Sequence, residues 1–134
     1  MPRKSFYLFA VLICLLFFHC RVKNSKFHVF FYTKDATQKV IVYVNNKIKG
    51  EVPYINDHLT CSDKEKLKAA LHVIVSSGSH RITIKNTSGD ELFEEKLKLK
   101  RRGGSVSVSS TSTNQDLSVY RTSQGNCIIE EIKF

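Results

Sequence analysis

The sequence predicts a mainly β fold: a small antiparallel β-sandwich with one short helix, preceded by an N-terminal signal helix. Residues 40–44 are all β-branched or aromatic, which favours a central strand. After turn-forming residues at 45–47, residues 48–52 return as a second strand, and Pro53 ends it because proline has no donor for a ladder. Residues 80–85 alternate between polar and apolar side chains, as a half-buried strand does.

Further short segments complete the sandwich, because strands at this spacing with turns between them are typical of that fold. The additional predicted strands are residues 27–32, 72–75, 91–100, 117–121 and 127–134. Residues 105–113 hold seven Ser or Thr in nine positions, so an exposed edge strand and a loop are both open for them. The side chains predicted to face inward are Ile82, Ile84, Phe93, Leu97 and Leu99.

One helix is predicted, over residues 64–71. Ser62, followed three residues later by Glu65, matches a capping box. Leu67, Ala70 and Leu71 then fall on one helical face. The alternative is a strand-like loop that leads into residues 72–75.

The N-terminal residues have the pattern of a targeting segment. Arg3 and Lys4 precede an unbroken apolar run of thirteen residues, 6–18. A helix that spans a bilayer needs about 20 apolar residues, so this run fits the core of a signal peptide better. An uncleaved signal anchor is the alternative.

Cys20 follows the apolar run and resembles the cysteine of a bacterial lipobox, which becomes the lipidated first residue. His19 and Phe17 depart from the small residue and the leucine that usually precede it, although relaxed versions occur in lipoproteins of the Bacteroidetes type. The chain therefore divides into a lipoprotein-type signal peptide (1–19), a basic tether (20–26) and a β-sandwich domain (27–134). No acidic run follows Cys20, and this favours a domain that faces the periplasm.

The four cysteines divide in the same way. Cys14 leaves with the signal peptide and Cys20 carries the lipid, so the exported domain keeps an even pair, Cys61 and Cys127. A disulfide is the default in an oxidising compartment, and two free thiols are the alternative. A metal site built on His58 and Cys61 lacks the second close pair of a tetrahedral set. We therefore expect no metal and no cofactor.

The chain is basic, with 21 Lys and Arg against 12 Asp and Glu. Loss of the two basic residues of the signal peptide leaves 19 against 12, a net charge of +7. The densest basic run comprises Lys96, Lys98, Lys100, Arg101 and Arg102. Such a patch can hold anionic lipid or an acidic glycan, and a solvated face that discourages edge pairing is the alternative. Nucleic acid is not expected as a partner of an exported protein.

Several short motifs together resemble the PEGA-type pattern. They are Val40, Val42 and Val44 at alternate positions, Gly50 with Pro53, and Gly78, His80, Ile82 and Ile84. PEGA-type and carboxypeptidase regulatory-like domains are small Ig-like or prealbumin-like sandwiches, so the resemblance implies that fold for residues 39–99. The asparagines at 45 and 46, in place of Asp-Gly, and the extra helix depart from the pattern.

The layout is also similar to that of small envelope lipoproteins of the Bacteroidetes type. These have a lone cysteine and a late Gly-x-Cys, here Gly125 to Cys127, and their two cysteines are suited to pair. The resemblance supports a Cys61–Cys127 disulfide. It carries over no catalytic residues.

No motif indicates an enzyme. Ser79 and His80 lack the G-x-S-x-G frame of a nucleophile elbow. Within each of the pairs at 94–95 and 130–131, adjacent carboxylates point to opposite faces of a strand, so neither pair forms one site. An enzyme would need His58, His72 or His80 close to a serine or a carboxylate.

We therefore expect a membrane-tethered cell-envelope lipoprotein with a binding or structural role, attached to the membrane through its N-terminal lipid or an uncleaved signal anchor. The alternative is a secreted or surface module that binds glycan or anionic lipid without an anchor. Glycan binding would be favoured by an exposed aromatic cluster, drawn from Tyr32, Tyr43, Tyr54 and Tyr120.

Overall fold

The described residues fold into two β-sheets that pack face to face, as the sequence predicts. The computed structural model describes residues 25–102, 105–113 and 117–134. The elements along the chain are β1 (Lys26–Thr33), β2 (Val40–Val44), β3 (Lys47–Glu51), α1 (Lys64–Leu67), β4 (Leu71–Ser76), β5 (Gly78–Asn86), β6 (Glu91–Arg102), β7 (Ser105–Thr113), β8 (Ser118–Gln124) and β9 (Cys127–Lys133). One sheet has the strand order β4-β1-β9-β8 and the other has β3-β2-β5-β6-β7.

The four-stranded sheet contains one parallel pair within an otherwise antiparallel arrangement of the described strands. β1 and β9 run parallel, with His28 opposite Cys127 and Thr33 opposite Ile132. β4 and β8 pair antiparallel with them on either side. Because β1 and β9 begin at the same end of the sheet, the start of the first strand lies beside Cys127.

The predicted β2–β3 hairpin is confirmed, with a tighter turn than expected. Asn45 and Asn46 form the loop with φ values of 52° and 65°, and positive φ at both positions is the requirement of a type I′ turn. Val44 pairs with Lys47, so Lys47 belongs to β3 and not to the turn. The turn also contacts β5, because the Asn45 side-chain oxygen accepts a hydrogen bond from the Arg81 amide at 3.0 Å.

The main core lies between the sheets and is built largely from alternate residues of the strands, although β3 contributes none. All five side chains predicted to face inward are buried: Ile82, Ile84, Phe93, Leu97 and Leu99. The four-stranded sheet contributes Phe27, Val29, Phe31, Ile128 and Ile132 to the same cluster. Complete burial of such a side chain contributes about 1.5–3 kcal/mol, so this cluster holds the two sheets together.

A second, smaller core lies on the outer face of the four-stranded sheet. It consists of Tyr32, Leu59, Leu67 and Ile129. Residues 53–70, which we term the covering segment, supply two of these side chains. Tyr32 is 1% exposed and donates a hydrogen bond to Glu131 at 2.9 Å. Burial, reinforced by this hydrogen bond, raises the pKa of Tyr32 to about 12.

The helix in the covering segment is shorter than predicted and has a different cap. α1 spans Lys64–Leu67, and the Asp63 side chain accepts a hydrogen bond from the Lys66 amide at 3.2 Å, so Asp63 and not Ser62 is the N-cap. Leu71, expected on the helix, pairs with Phe31 as the first residue of β4. Strand pairing prevails here because so short a helix is marginal by itself.

The Ser/Thr-rich segment forms an edge strand. β7 pairs with β6 over its whole length, from Arg102 opposite Ser105 to Glu94 opposite Thr113. Val108 packs against the main core, which explains why so polar a segment joins the sheet. Residues 103 and 104, between β6 and β7, lie outside the described residues.

Candidate functional site

The predicted disulfide is confirmed. Cys61, in the covering segment, is bonded to Cys127, the first residue of β9, with 6.0 Å between their Cα atoms. The bond fixes the covering segment to the outer face of the four-stranded sheet. Because the Cys61 sulfur is used in this bond, it is not free to bind a metal together with His58.

A cleft of about 760 Å³ opens beside this disulfide. It lies where the covering segment stops and leaves part of the sheet face uncovered. Its walls come from α1 and its C-cap, from the four strands of the sheet and from the turn before β9. The lining residues are His28, Phe30, Cys61, Lys64, Leu67, Lys68, His72, Gln124, Asn126 and Cys127. The volume falls within the roughly 300–1,000 Å³ of small-molecule sites.

Two histidines in the cleft are joined directly. His28 Nδ1 lies 2.8 Å from His72 Nε2, so one ring donates to the other. The His72 ring also stacks on Phe30, with centroids 4.5 Å apart and planes 8° from parallel. Burial, and after it the charge of His28, lowers the pKa of His72.

The charges that line the cleft are all positive. Lys64 and Lys68 contribute ammonium groups, and no Asp or Glu is among its lining residues. Lys68 lies 2.9 Å from Glu65 in an exposed ion pair, whereas Lys64 has no ion-pair partner within the described ranges. The cleft thus has an apolar floor that includes Phe30 and Leu67, a hydrogen-bonded pair of histidines, and a basic mouth formed by Lys64 and Lys68.

The predicted basic patch divides between the two faces of β6. Lys96, Lys98 and Lys100 are exposed on the outer face of the five-stranded sheet, and we call them the lysine face. Arg101 is also exposed, but it has the parity of the inward Leu97 and so lies on the other side of the strand. Arg102 ends β6 opposite Ser105. That Arg101 and Arg102 take part in an anion-binding patch with the lysines stays a prediction.

Hydroxyl groups flank the lysine face. The residues opposite its members across the β6–β7 ladder are Thr111, Ser109 and Ser107, and Ser79 of β5 lies opposite Lys98. Directly opposite residues share a face of the sheet. In the described part of the chain, none of the three lysines has an ion-pair partner, so their charges are unneutralised.

The carboxylate pairs at 94–95 and 130–131 each send one side chain into the main core, where residues of the two pairs come together. Glu94 pairs with Arg81 on the outer face, at 3.1 Å, while Glu95 points into the main core. Glu130 points into the same core from the other sheet, and both contact Arg121. Glu95 from one pair and Glu130 from the other thus both contact Arg121. Arg121 was not among the candidate residues from the sequence.

The residues considered for catalysis or glycan binding are dispersed. His80 Nε2 lies 2.7 Å from the Ser76 carbonyl and Nδ1 lies 2.9 Å from Asn45, so both nitrogens are engaged by groups other than Ser79. Tyr32 is buried, and Tyr54 and Tyr120 are exposed. Tyr43 lies on the five-stranded sheet below Lys85, while Tyr120 lies on the four-stranded sheet. The exposed cluster of all four tyrosines that would favour glycan binding is therefore not formed.

The fold and the cleft define a disulfide-bonded β-sandwich with a ligand-sized depression on one sheet face. No protein-family model matches the chain, and no curated protein or solved structure is significantly similar to it. In the described residues, no helix has the length and apolarity that crossing a membrane requires. Cys20 and the predicted signal peptide lie outside those residues.

Proposed function

We propose that this chain is a membrane-tethered protein of the cell envelope whose β-sandwich head binds a ligand and performs no catalysis. The Cys61–Cys127 disulfide carries the proposal. Disulfides persist in oxidising compartments and are rare in the cytosol. The apolar run that ends at Cys20 provides the matching address.

The cleft supports the binding role. It has the size of a small-molecule site, with an apolar floor and a few polar groups at its edge. The disulfide and α1 form one wall, so the cleft depends on the same covalent bond that indicates export.

The start of β1 supports an arrangement in which the cleft is close to the membrane. β1 begins at Lys26, and His28 and Cys127 lie opposite each other at this end of the sheet. The tether of residues 20–26 therefore joins the head at the end where the cleft opens. With the tether anchored, the cleft lies on the membrane side of a head that faces the periplasm.

The mass of the mature N-terminus tests the anchor. We expect the chain to begin at Cys20 with an acyl modification, and Cys20→Ser to abolish that modification. Cys14→Ser is the matched control, since this cysteine lies within the apolar run and is removed with it. An unmodified N-terminus in the wild type, or equal effects of both substitutions, would refute lipidation at Cys20.

A second candidate is a secreted or surface module that binds anionic glycan or lipid without an anchor. The lysine face favours it, because three exposed ammonium groups lie in one row with hydroxyl donors on both sides. Unneutralised charges of one sign attract polyanions.

A further inference from the structure

We propose that the cleft beside the disulfide is a binding site for a small carboxylate anion with a compact apolar body. The proposal extends the binding role given above and rests on it, but it does not depend on the membrane anchor. The apolar floor, the lysines at the mouth and the histidine pair in the wall each determine one chemical property of the ligand.

The floor selects an apolar body. Phe30, Leu67 and the disulfide sulfurs line the cleft, and Phe30 remains only partly covered although it packs against the second core. An exposed surface of this kind gains stability when an apolar group displaces water from it. A ligand with polar groups on all sides would gain nothing here.

The mouth selects a negative charge. Lys64 and Lys68 are one helical turn apart on the same side of α1, and both line the cleft. Lys64 is unpaired among the described residues, and the pair between Lys68 and Glu65 is exposed, so a carboxylate competes with it at little cost. Hydrogen bonds between an ammonium group and a carboxylate are about twice as strong as neutral ones.

The histidine pair supplies a proton-linked donor. When both rings are neutral, each carries one N–H, and only one of the two lies in the contact between His28 and His72. Protonation of the pair adds one further N–H donor, and a bound anion offsets the added charge. The other charged groups near the pair are Lys64 and Lys68 across the cleft and Lys26 on the same face of β1. A carboxylate bound beside the pair favours its charged form, so binding should take up a proton.

The test is calorimetric titration of the protein, as isolated, with 2-naphthoate and with its uncharged analogue 2-naphthamide. We expect saturable binding of 2-naphthoate with a Kd below about 1 mM and at least tenfold weaker binding of the amide. Titration in buffers of different ionisation enthalpy should reveal proton uptake at neutral pH. Absence of saturable 2-naphthoate binding, or equal affinity for the two compounds, would overturn the proposal.

Substitutions locate the site. Lys64→Gln with Lys68→Gln should weaken 2-naphthoate binding by about tenfold or more, which corresponds to about 1.4 kcal/mol. Lys66→Gln is the control on the same helix, because Lys66 pairs with Asp57 and does not line the cleft. His72→Phe should remove the proton uptake. Loss of affinity in the control alone, or proton uptake that survives His72→Phe, would refute the site.

This experiment is independent of the anchor. Cys20→Ser should leave the affinity for 2-naphthoate unchanged, since residue 20 lies outside the head. An unlipidated protein that binds 2-naphthoate would refute the lipid anchor at Cys20 and keep the site. A lipidated protein that does not bind 2-naphthoate would refute the site and keep the lipid anchor.

Discussion

Both carboxylate oxygens of Glu95, on the five-stranded sheet, lie 2.6 Å from a single guanidinium nitrogen of Arg121, on the four-stranded sheet. Arg121 Nε lies 2.6 Å from Glu130, its neighbour across the β8–β9 ladder. The side chains of Glu95 and Glu130 are 2% and 1% exposed. Two carboxylates and one guanidinium therefore form a charged cluster inside an otherwise apolar core.

The charge balance of this cluster predicts a pH dependence of stability. Burial, and after it the charge of Glu95, raises the pKa of Glu130 to about 8, although Arg121 opposes the shift. The folded protein thus binds a proton that the unfolded chain releases above its ordinary pKa of 4.5. By linkage, the contribution of Glu130 to the free energy of unfolding is fully present below about pH 4.5 and is lost as the pH rises through about 8.

Glu130→Gln should remove this dependence, because the amide keeps the shape and the neutral charge of the protonated acid. We expect urea unfolding of the wild type to lose at most about 1.4 kcal/mol per pH unit between pH 5 and 8. The variant should show a flatter profile and exceed the wild type at pH 8. Glu94→Gln, on the outer face, is the control and should keep the wild-type slope. Parallel profiles for wild type and Glu130→Gln would contradict the prediction.

Removal of the guanidinium should be far more damaging than removal of the whole cluster. Arg121→Met leaves the buried acids Glu95 and Glu130 without their cation, and breaking a buried pair in this way costs about 3–5 kcal/mol. In contrast, Glu95→Leu, Arg121→Met and Glu130→Leu combined should be close to neutral or stabilising by about 1–4 kcal/mol. Free energies of unfolding at pH 7 measure both. A triple variant no more stable than Arg121→Met would show that the cluster stabilises the fold in a way that apolar residues cannot replace.

Loss of the disulfide should lower the free energy of unfolding. It closes a loop with a sequence separation of 66 and holds the covering segment over the second core. Cys61→Ser and Cys127→Ser should each cost about 2–5 kcal/mol, and the double variant little more than either, because both remove the same bond. Thiol labelling of the unreduced, denatured protein checks the bond directly. Two reactive thiols at these positions would contradict it.

Much of the sandwich is predictable because local patterns and tertiary packing agree there. The alternation in residues 80–85 and 91–100 identifies five apolar side chains that face inward, and the asparagines at 45 and 46 match the backbone of a type I′ turn. The helix is overestimated because its period continues into Leu71. That residue gains more from pairing with Phe31 in the sheet than from a marginal helical turn.

The histidine pair and the cluster around Arg121 are not predictable from the sequence alone, because both depend on contacts between strands that are distant in the chain. The His28–His72 contact requires β1 beside β4, a sequence separation of 44. The inward positions of Glu95 and Glu130 do follow from alternation, since Glu95 shares parity with Phe93 and Leu97. Their meeting at Arg121 follows only from the packing of one sheet on the other.

The lysine face gives the last prediction, which concerns acidic glycans. Lys98→Glu with Lys100→Glu reverses two exposed charges, so the variant should bind immobilised heparin more weakly than the wild type. The slope of the logarithm of affinity against the logarithm of salt concentration should fall by about two, because about two fewer counterions are released.

Lys47→Glu with Lys49→Glu on β3 matches the change in net charge on the same sheet, but at its opposite edge. If the row of lysines binds the glycan, this control should retain most of the wild-type affinity, because its charges lie away from the row flanked by hydroxyl groups. If both variants lose affinity equally, the attraction reflects net charge alone. The lysine face then serves only as a solvated outer surface of the sheet, since β6 is paired on both sides and has no free edge.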